Sequence, residues 1–231
     1  ESPGVLKFRV TVTGEAPNTT EPDNETAFAH LGTSAVDTGV IIIQALKELD
    51  VVRGKRVYHK SVDDRVGRST NLLIGHVSSG SVERVGEIPT EFTIGVQLFF
   101  PPSENLASVR GEVEEAIMKA GKSDSWLKGH PPLVDWLVGT ESTAMTEEEP
   151  IYQSLSNAIE AVTATAPSPN PLQSLNDIRN PLLCSGIPTV GFGPSSGYGT
   201  QDEWVDVDEY LNAIKVCAQV MLDWTAQPHQ K

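Results

Sequence analysis

Val5-Leu-Lys-Phe-Arg-Val-Thr-Val-Thr13 decides the fold class, because Leu6, Phe8, Val10 and Val12 fall on one face and Lys7, Arg9, Thr11 and Thr13 on the other. Strict alternation is the pattern of a strand with one face in a core and the other toward water. Working outward, Glu91 to Phe100 repeats it through Phe92, Ile94, Val96, Leu98 and Phe100, until Pro101-Pro102 ends the run. Asn71 to Val82 predicts a further strand and Pro132 to Gly139 a fourth. Thr33 to Leu49 carries Val36, Val40, Ile43 and Leu46 at helical spacing, and Ser103 to Ala120 carries Leu106, Val109, Val113, Ile117 and Met118, with Gly121 placed to cap its end. Gly14 to His30, rich in Pro, Asn, Thr and acid, reads as a loop, and the charged stretch between Leu49 and Asn71 as a connector.

The resulting order, β-α-β-β-α-β, predicts two helices on one face of an antiparallel sheet, a ferredoxin-like unit. Thr140 to Pro150 has no periodicity and marks a domain boundary. Beyond it, Ile151 to Thr163 reads as a helix, Ala166 to Pro171 as a Pro-rich loop, Ile187 to Phe192 as a short buried strand, and Val207 to Trp224 as a closing helix with an Asp206/Glu209 capping box. A single strand cannot close a sheet, so residues 142–231 read as half a domain, completed by something outside the chain.

The 231 residues include 31 acidic and 17 basic side chains, a formal charge of -14. Residues 142–231 hold 11 acids and 3 bases, more than their share. So negative a chain repels phosphate backbones and anionic headgroups, which argues against nucleic acid and membrane partners and for a small molecule or another protein. No apolar run approaches the roughly 20 residues of a membrane-spanning helix, and the first residues enter a strand pattern directly, which predicts a soluble, cytoplasmic protein without a signal peptide. Cys184 and Cys217 lie in apolar surroundings without CxxC spacing and predict buried, reduced thiols. His30, His59, His76, His130 and His229 show neither HxH nor HExxH spacing, so no metal site assembles from local sequence. Gly191 to Gly199 is glycine-rich after a strand pattern but lacks the order of a phosphate loop.

Seven segments in register carry a resemblance: residues 4–14; Gly14-x-Ala16-x-Asn18-Thr19-Thr20-x-Pro22 with Leu31-Gly32-x-Ser34-Ala35-Val36-Asp37; Ile74 to Gly80; Trp126 to Trp136; Asn176-Asp-Ile-Arg179; Gly186 to Pro194; and Asp202 to Tyr210. Together they resemble the M20 metallopeptidase family, which includes acetylornithine deacetylase, succinyl-diaminopimelate desuccinylase, aminoacylase and carboxypeptidase G2. The resemblance implies an α/β protein: a lid or dimerisation domain over residues 1–141, and over 142–231 the C-terminal part of a zinc-peptidase-like catalytic domain. It implies a divalent metal, zinc or alternatively manganese or cobalt, bound by residues that precede the lid and are absent here. A companion chain carrying that segment, and homo-oligomerisation through the lid, are the expected partners.

Carried over position by position, the resemblance makes Arg179 the clamp for a substrate carboxylate, with Asp177 beside it, and Gly193 to Glu203 a pocket wall. An ion pair with Asp177 or another acid is the competing reading of Arg179. Asn18 stands where the family places a lid histidine, and His30 follows nearby; either is a candidate oxyanion or substrate donor, His30 equally a solvated loop residue. Gln97 and Phe99 replace the lid strand's Asp-x-Arg, and Gly199 replaces the last metal-ligating histidine. Asp202 and Glu203 are weak replacement ligands, or simply the turn before the final helix. The implied activity is hydrolysis of an amide-type bond in a small carboxylate-bearing substrate by metal-activated water. The alternative is an assembly subunit of the same fold that has lost the site.

Overall fold

The computed structural model describes residues 1–172, 176–194 and 201–226. They fall into two compact units: a first body of residues 2–142 with 171–172, and a second of residue 1, 143–170, 176–194 and 201–226. In the first, strands β1 (Gly4–Thr13), β2 (Asn71–Ser79), β3 (Glu91–Phe100) and β4 (Leu133–Thr140) form one antiparallel sheet in the order β2-β3-β1-β4. Helices α1 (Ala35–Arg56) and α3 (Leu106–Ser123) pack on each other and on the sheet, with short helices α2 (Lys60–Val66) and α4 (Ser125–Gly129) beside them in sequence. The β-α-β-β-α-β order is as expected.

Alternation in β1 and β3 builds the core as the sequence dictates: Leu6, Phe8, Val10, Val12, Phe92, Ile94, Val96, Leu98 and Phe100 are all buried. Val109, Val113 and Ile117 of α3 cover them. The core face of α1 differs from the expected stripe, because Ala35, Thr38, Gly39, Ile42 and Leu46 are buried while Val40 is 53% exposed. Small residues let α1 approach the sheet closely, and a Cβ added to Gly39 would lie 2.3 Å from the Phe92 ring. Helix propensity favours alanine over glycine by about 1 kcal/mol, but overpacking a filled core costs about 1–3 kcal/mol. Gly39→Ala is therefore expected to lower the denaturant midpoint, and Phe92→Leu in the same chain to recover part of the loss; an unchanged midpoint would contradict this packing.

Local chemistry sets the helix starts. Ser34 Oγ accepts from Val36 N at 3.2 Å, Asn105 Oδ1 from Ser108 N at 2.8 Å, and Asp124 Oδ1 from Trp126 N and Leu127 N at 2.9 Å each. Gly121 lies inside α3, which continues to Ser123, rather than capping it. The stretch expected as loop includes a 3-10 helix over Pro22–Leu31, tied to the 81–90 connection where Thr26 N and Oγ1 donate to Gly86 O and Ile88 N donates to Glu25 Oε2.

The second body holds α5 (Pro150–Thr163), α6 (Arg179–Ser185) and α7 (Val207–Ala226), with α5 packed against α7. Asp206 Oδ1 accepts from Asp208 N and Glu209 N and caps α7. Two expectations fail here. Ile187 to Phe192 joins no strand ladder among the described residues, and Ile187 is 56% exposed. Cys184 and Cys217 are free but exposed, Cys184 beside the half-exposed Leu183 and Cys217 turned away from the side of α7 on which its neighbour Val216 is buried. No helix among the described residues is long and apolar enough to cross a membrane.

Candidate functional site

In the first body the candidate donors sit on one excursion of the chain. Glu15 and Thr33 pinch its base, each N–H donating to the other's carbonyl at 2.8 Å, and Gly14 N donates to Thr90 O at 2.8 Å. Asn18 therefore lies three residues past the pinch on the outgoing arm and His30 three before it on the return, at the end of the 3-10 helix; both are exposed. The pinch fixes where the excursion leaves the sheet, next to the ends of β1 and the start of β3. Gln97 and Phe99 lie half-buried on the sheet face turned away from the helices, Gln97 opposite Lys7 and Leu73. One strand position along, Arg9 and Asp135 form an exposed ion pair at 2.8 Å, which adds little stability in water.

In the second body Asn176-Asp-Ile-Arg179 folds as a unit. Ile178 N donates to Asn176 Oδ1 at 3.2 Å, a side-chain turn that starts α6 and brings Arg179 back over the preceding backbone. Arg179 is 4% exposed, and its Nε donates to Asn176 O at 3.1 Å. Burial pulls its pKa below the ordinary arginine value, while the Asp177 carboxylate opposes that shift by favouring the charged form. An arginine remains charged across ordinary pH, so a cation is held here out of water. Asp177 is engaged locally as well: its Oδ1 accepts from Asn180 Nδ2 at 3.1 Å.

Gly193 is exposed, and a Cβ there would meet nothing within 4 Å among the described residues. Asp202 and Glu203 are exposed and lie in the turn that leads to the α7 cap. Gly199, the position of the missing histidine, lies outside the described residues. Among the described residues no group of three or more His, Cys, Asp or Glu side chains could hold a metal ion. The described residues do not fit a divalent metal site. The feature that reading the sequence missed is the outer face of α7, where Val207, Ile214 and Met221 are exposed; apolar residues on two sides of one helical wheel are the signal that reveals it.

No protein-family model matches the chain. It is 24% identical over 208 residues to N-formyl-4-amino-5-aminomethyl-2-methylpyrimidine deformylase of Halalkalibacterium halodurans, an alignment covering 84% of this chain and 46% of that protein. Among solved structures it is similar to aminopeptidase PepT from Bacillus cereus, with a TM-score of 0.63, 16% identity, and 95% of this chain and 51% of that one covered. An M20 family metallo-carboxypeptidase from Sulfolobus solfataricus matches with a TM-score of 0.63 and 12% identity over 95% of this chain and 58% of that one. Human carnosine dipeptidase 1 matches with a TM-score of 0.63 and 15% identity over 98% and 56%. The chain shares the fold of these peptidases and spans about half the length of the proteins it matches.

Proposed function

We propose that this chain forms the lid and the C-terminal part of the catalytic domain of a metal-dependent hydrolase that cleaves an amide-type carbon–nitrogen bond in a small substrate. The observation that carries this reading is the 208-residue alignment with a deformylase, which runs through both bodies and not through the sheet unit alone. A sheet with two helices is a common unit, but shared order across two bodies points to a common enzyme architecture. The metal of such an enzyme belongs to a companion segment, since the described residues here supply no site for it. The same reading has the first body as the surface through which copies of the enzyme associate, β2 lying at the sheet edge with Leu73 63% exposed.

Within this reading the chain's own residues bind and orient. Arg179 offers a planar, desolvated guanidinium to a carboxylate, a bidentate geometry that a lysine does not reproduce. Asn18 and His30 offer donors to the carbonyl oxygen on which charge develops. The deformylase relative is named for an N-formyl aminopyrimidine, which has no carboxylate, whereas a dipeptide has one. Both substrate classes therefore enter the test.

The test takes the complete native protein, with intact masses of every chain in the preparation and light scattering for its size. Hydrolysis is followed on N-formyl amines, N-acyl amino acids and dipeptides, before and after chelation. We expect a second segment carrying metal-ligand motifs, a multimeric particle, and chelator-sensitive cleavage of at least one amide class. A metal-free particle built only from this chain and inert toward all three classes would overturn the proposal in favour of an assembly subunit.

A further inference from the structure

The excursion from Gly14 to Thr33 has two arms, and the chain holds them unequally. Among the described residues the outgoing arm, 16–20, makes one hydrogen bond, from Glu21 N to Thr19 Oγ1 at 3.0 Å, which ties the arm only to its own continuation. Asn18 is exposed on that arm. Using it as a donor means ordering the arm at the moment of use, at a cost in conformational entropy.

The return arm is latched. The 3-10 helix Pro22–Leu31 breaks at Asn24 (φ -134°, ψ 43°), and directly after the break Glu25 and Thr26 reach across to the connection between β2 and β3. Glu25, half-buried, accepts from Ile88 N through its Oε2 at 2.6 Å, and Thr26 N and Oγ1 both donate to Gly86 O at 3.1 Å. A carboxylate that accepts from a backbone N–H makes one of the stronger hydrogen bonds. The connection is itself pinned to the end of the sheet, where Pro89 O accepts from Ala35 N and Thr90 O from Gly14 N, each at 2.8 Å. Beyond His30, Gly32 N donates to Ala29 O at 3.3 Å, and a Cβ on Gly32 would lie 2.8 Å from Glu15 O and 2.9 Å from Ile88 Cδ1. His30 follows Thr26 by four residues, little more than one 3-10 turn, so its backbone is fixed from both directions.

We infer that Glu25 and Thr26 are positioning residues, which latch the return arm to the 81–90 connection so that His30, rather than Asn18, is the donor the fold prepares. This rests on the reading of the chain as part of an amide hydrolase. A donor stabilises developing charge best when it is already in place, because nothing then has to reorganise during the reaction. His30 meets that condition through its latched backbone, and Asn18 does not.

The test uses the complete native protein. The constants kcat and KM are measured on the amide class that the wild type cleaves, and amide hydrogen exchange is read at Ile88 and residues 29–31. Glu25→Ala is expected to speed exchange at Ile88 by at least about tenfold. It should also lower kcat by about 10–100-fold with KM changed by less than about threefold, because a displaced donor is missed only as charge develops. Thr26→Val, which leaves the main-chain bond to Gly86 O, should lose less. Glu25→Gln, whose amide oxygen still accepts from Ile88 N, and Thr26→Ser should keep most of the wild-type rate. The deciding readout is coupling: Glu25→Ala should cost nothing further in a His30→Ala background and keep its full effect in an Asn18→Ala background. A full effect of Glu25→Ala without His30, or exchange at Ile88 that ignores Glu25→Ala, would overturn the inference. Cleavage by the wild type with no coupling between Glu25 and His30 would keep the hydrolase and overturn the positioning role. A wild type that cleaves no amide class, with Ile88 exchange still governed by Glu25, would overturn the hydrolase reading and the donor role with it, leaving only the latch.

Discussion

Arg53→Met is expected to lower the melting temperature of the first body by roughly 10–20 °C, the equivalent of about 3–5 kcal/mol for breaking a buried ion pair on one side. The side chain of Arg53 is 1% exposed, in the last turn of α1. Its Nη1 donates to Glu112 Oε2 at 2.5 Å, and its Nη2 donates to Glu104 Oε2 at 2.5 Å and to Thr70 Oγ1 at 3.2 Å. One guanidinium therefore ties α1 to the start of α3, the turn before it and the approach to β2. Methionine keeps the packing of the stem and removes every one of these donors. The consequence differs between the two acids. Glu112 retains Arg56, whose Nη2 donates to its Oε1 at 2.5 Å, whereas Glu104, 15% exposed, is left with Arg56 at 4.0 Å. Glu104→Gln in the Arg53→Met background should consequently recover more stability than Glu112→Gln does. Thermal unfolding of six proteins, wild type, Arg53→Met, Glu104→Gln, Glu112→Gln and the two double variants, analysed as double-mutant cycles, checks this ordering. A shift of less than about 3 °C for Arg53→Met would show that the cluster is held by water rather than by the arginine.

That network illustrates what was and was not legible in the sequence. The strands β1 and β3 were, because alternation is a local property and each face meets one environment. The buried face of α1 runs through Ala35, Thr38 and Gly39 rather than Val40, because Gly39 lies close against Phe92, more than fifty residues away. Arg53 reads as an ordinary charge at a helix end, where cations are favoured anyway; its burial depends on acids 51 and 59 residues further along. In the second body the local pieces were legible, namely the Asp206 cap and the helices α5 and α7. The Ile187–Phe192 strand and the buried thiols were misjudged for one physical reason: apolar composition predicts burial only where a covering layer is present. The candidate site follows the same division, since Arg179 is positioned by its own immediate neighbours, whereas Asn18 and His30 depend on the long-range pinch between Glu15 and Thr33.

For Arg179 the largest effect is expected on binding, and only with substrates that carry a carboxylate. Under the proposed clamp role, Arg179→Ala in the complete native protein would leave that carboxylate without its partner in a desolvated place, a loss of about 2–5 kcal/mol. It should appear as a rise in KM of roughly thirty-fold to several-thousand-fold, with a smaller change in kcat. Arg179→Lys restores the charge but not the planar fork, and the lysine also loses the Nε contact to Asn176 O, so it should recover only part of the binding. An N-formyl amine without a carboxylate provides the internal control. Its kinetic constants should be nearly the same for wild type, Arg179→Ala and Arg179→Lys, because the group that the clamp role requires is missing from the substrate. The competing structural role makes the opposite pattern: with Arg179 serving chiefly to hold the Asn176–Arg179 turn beside Asp177, Arg179→Ala lowers the melting temperature and leaves activity per folded molecule unchanged on every substrate. The two roles separate on one comparison, the KM ratio between carboxylate-bearing and carboxylate-free substrates, which a merely destabilised enzyme does not alter. A constant ratio across the three proteins would assign Arg179 to the scaffold and move recognition of the substrate to the exposed arms at Asn18 and His30.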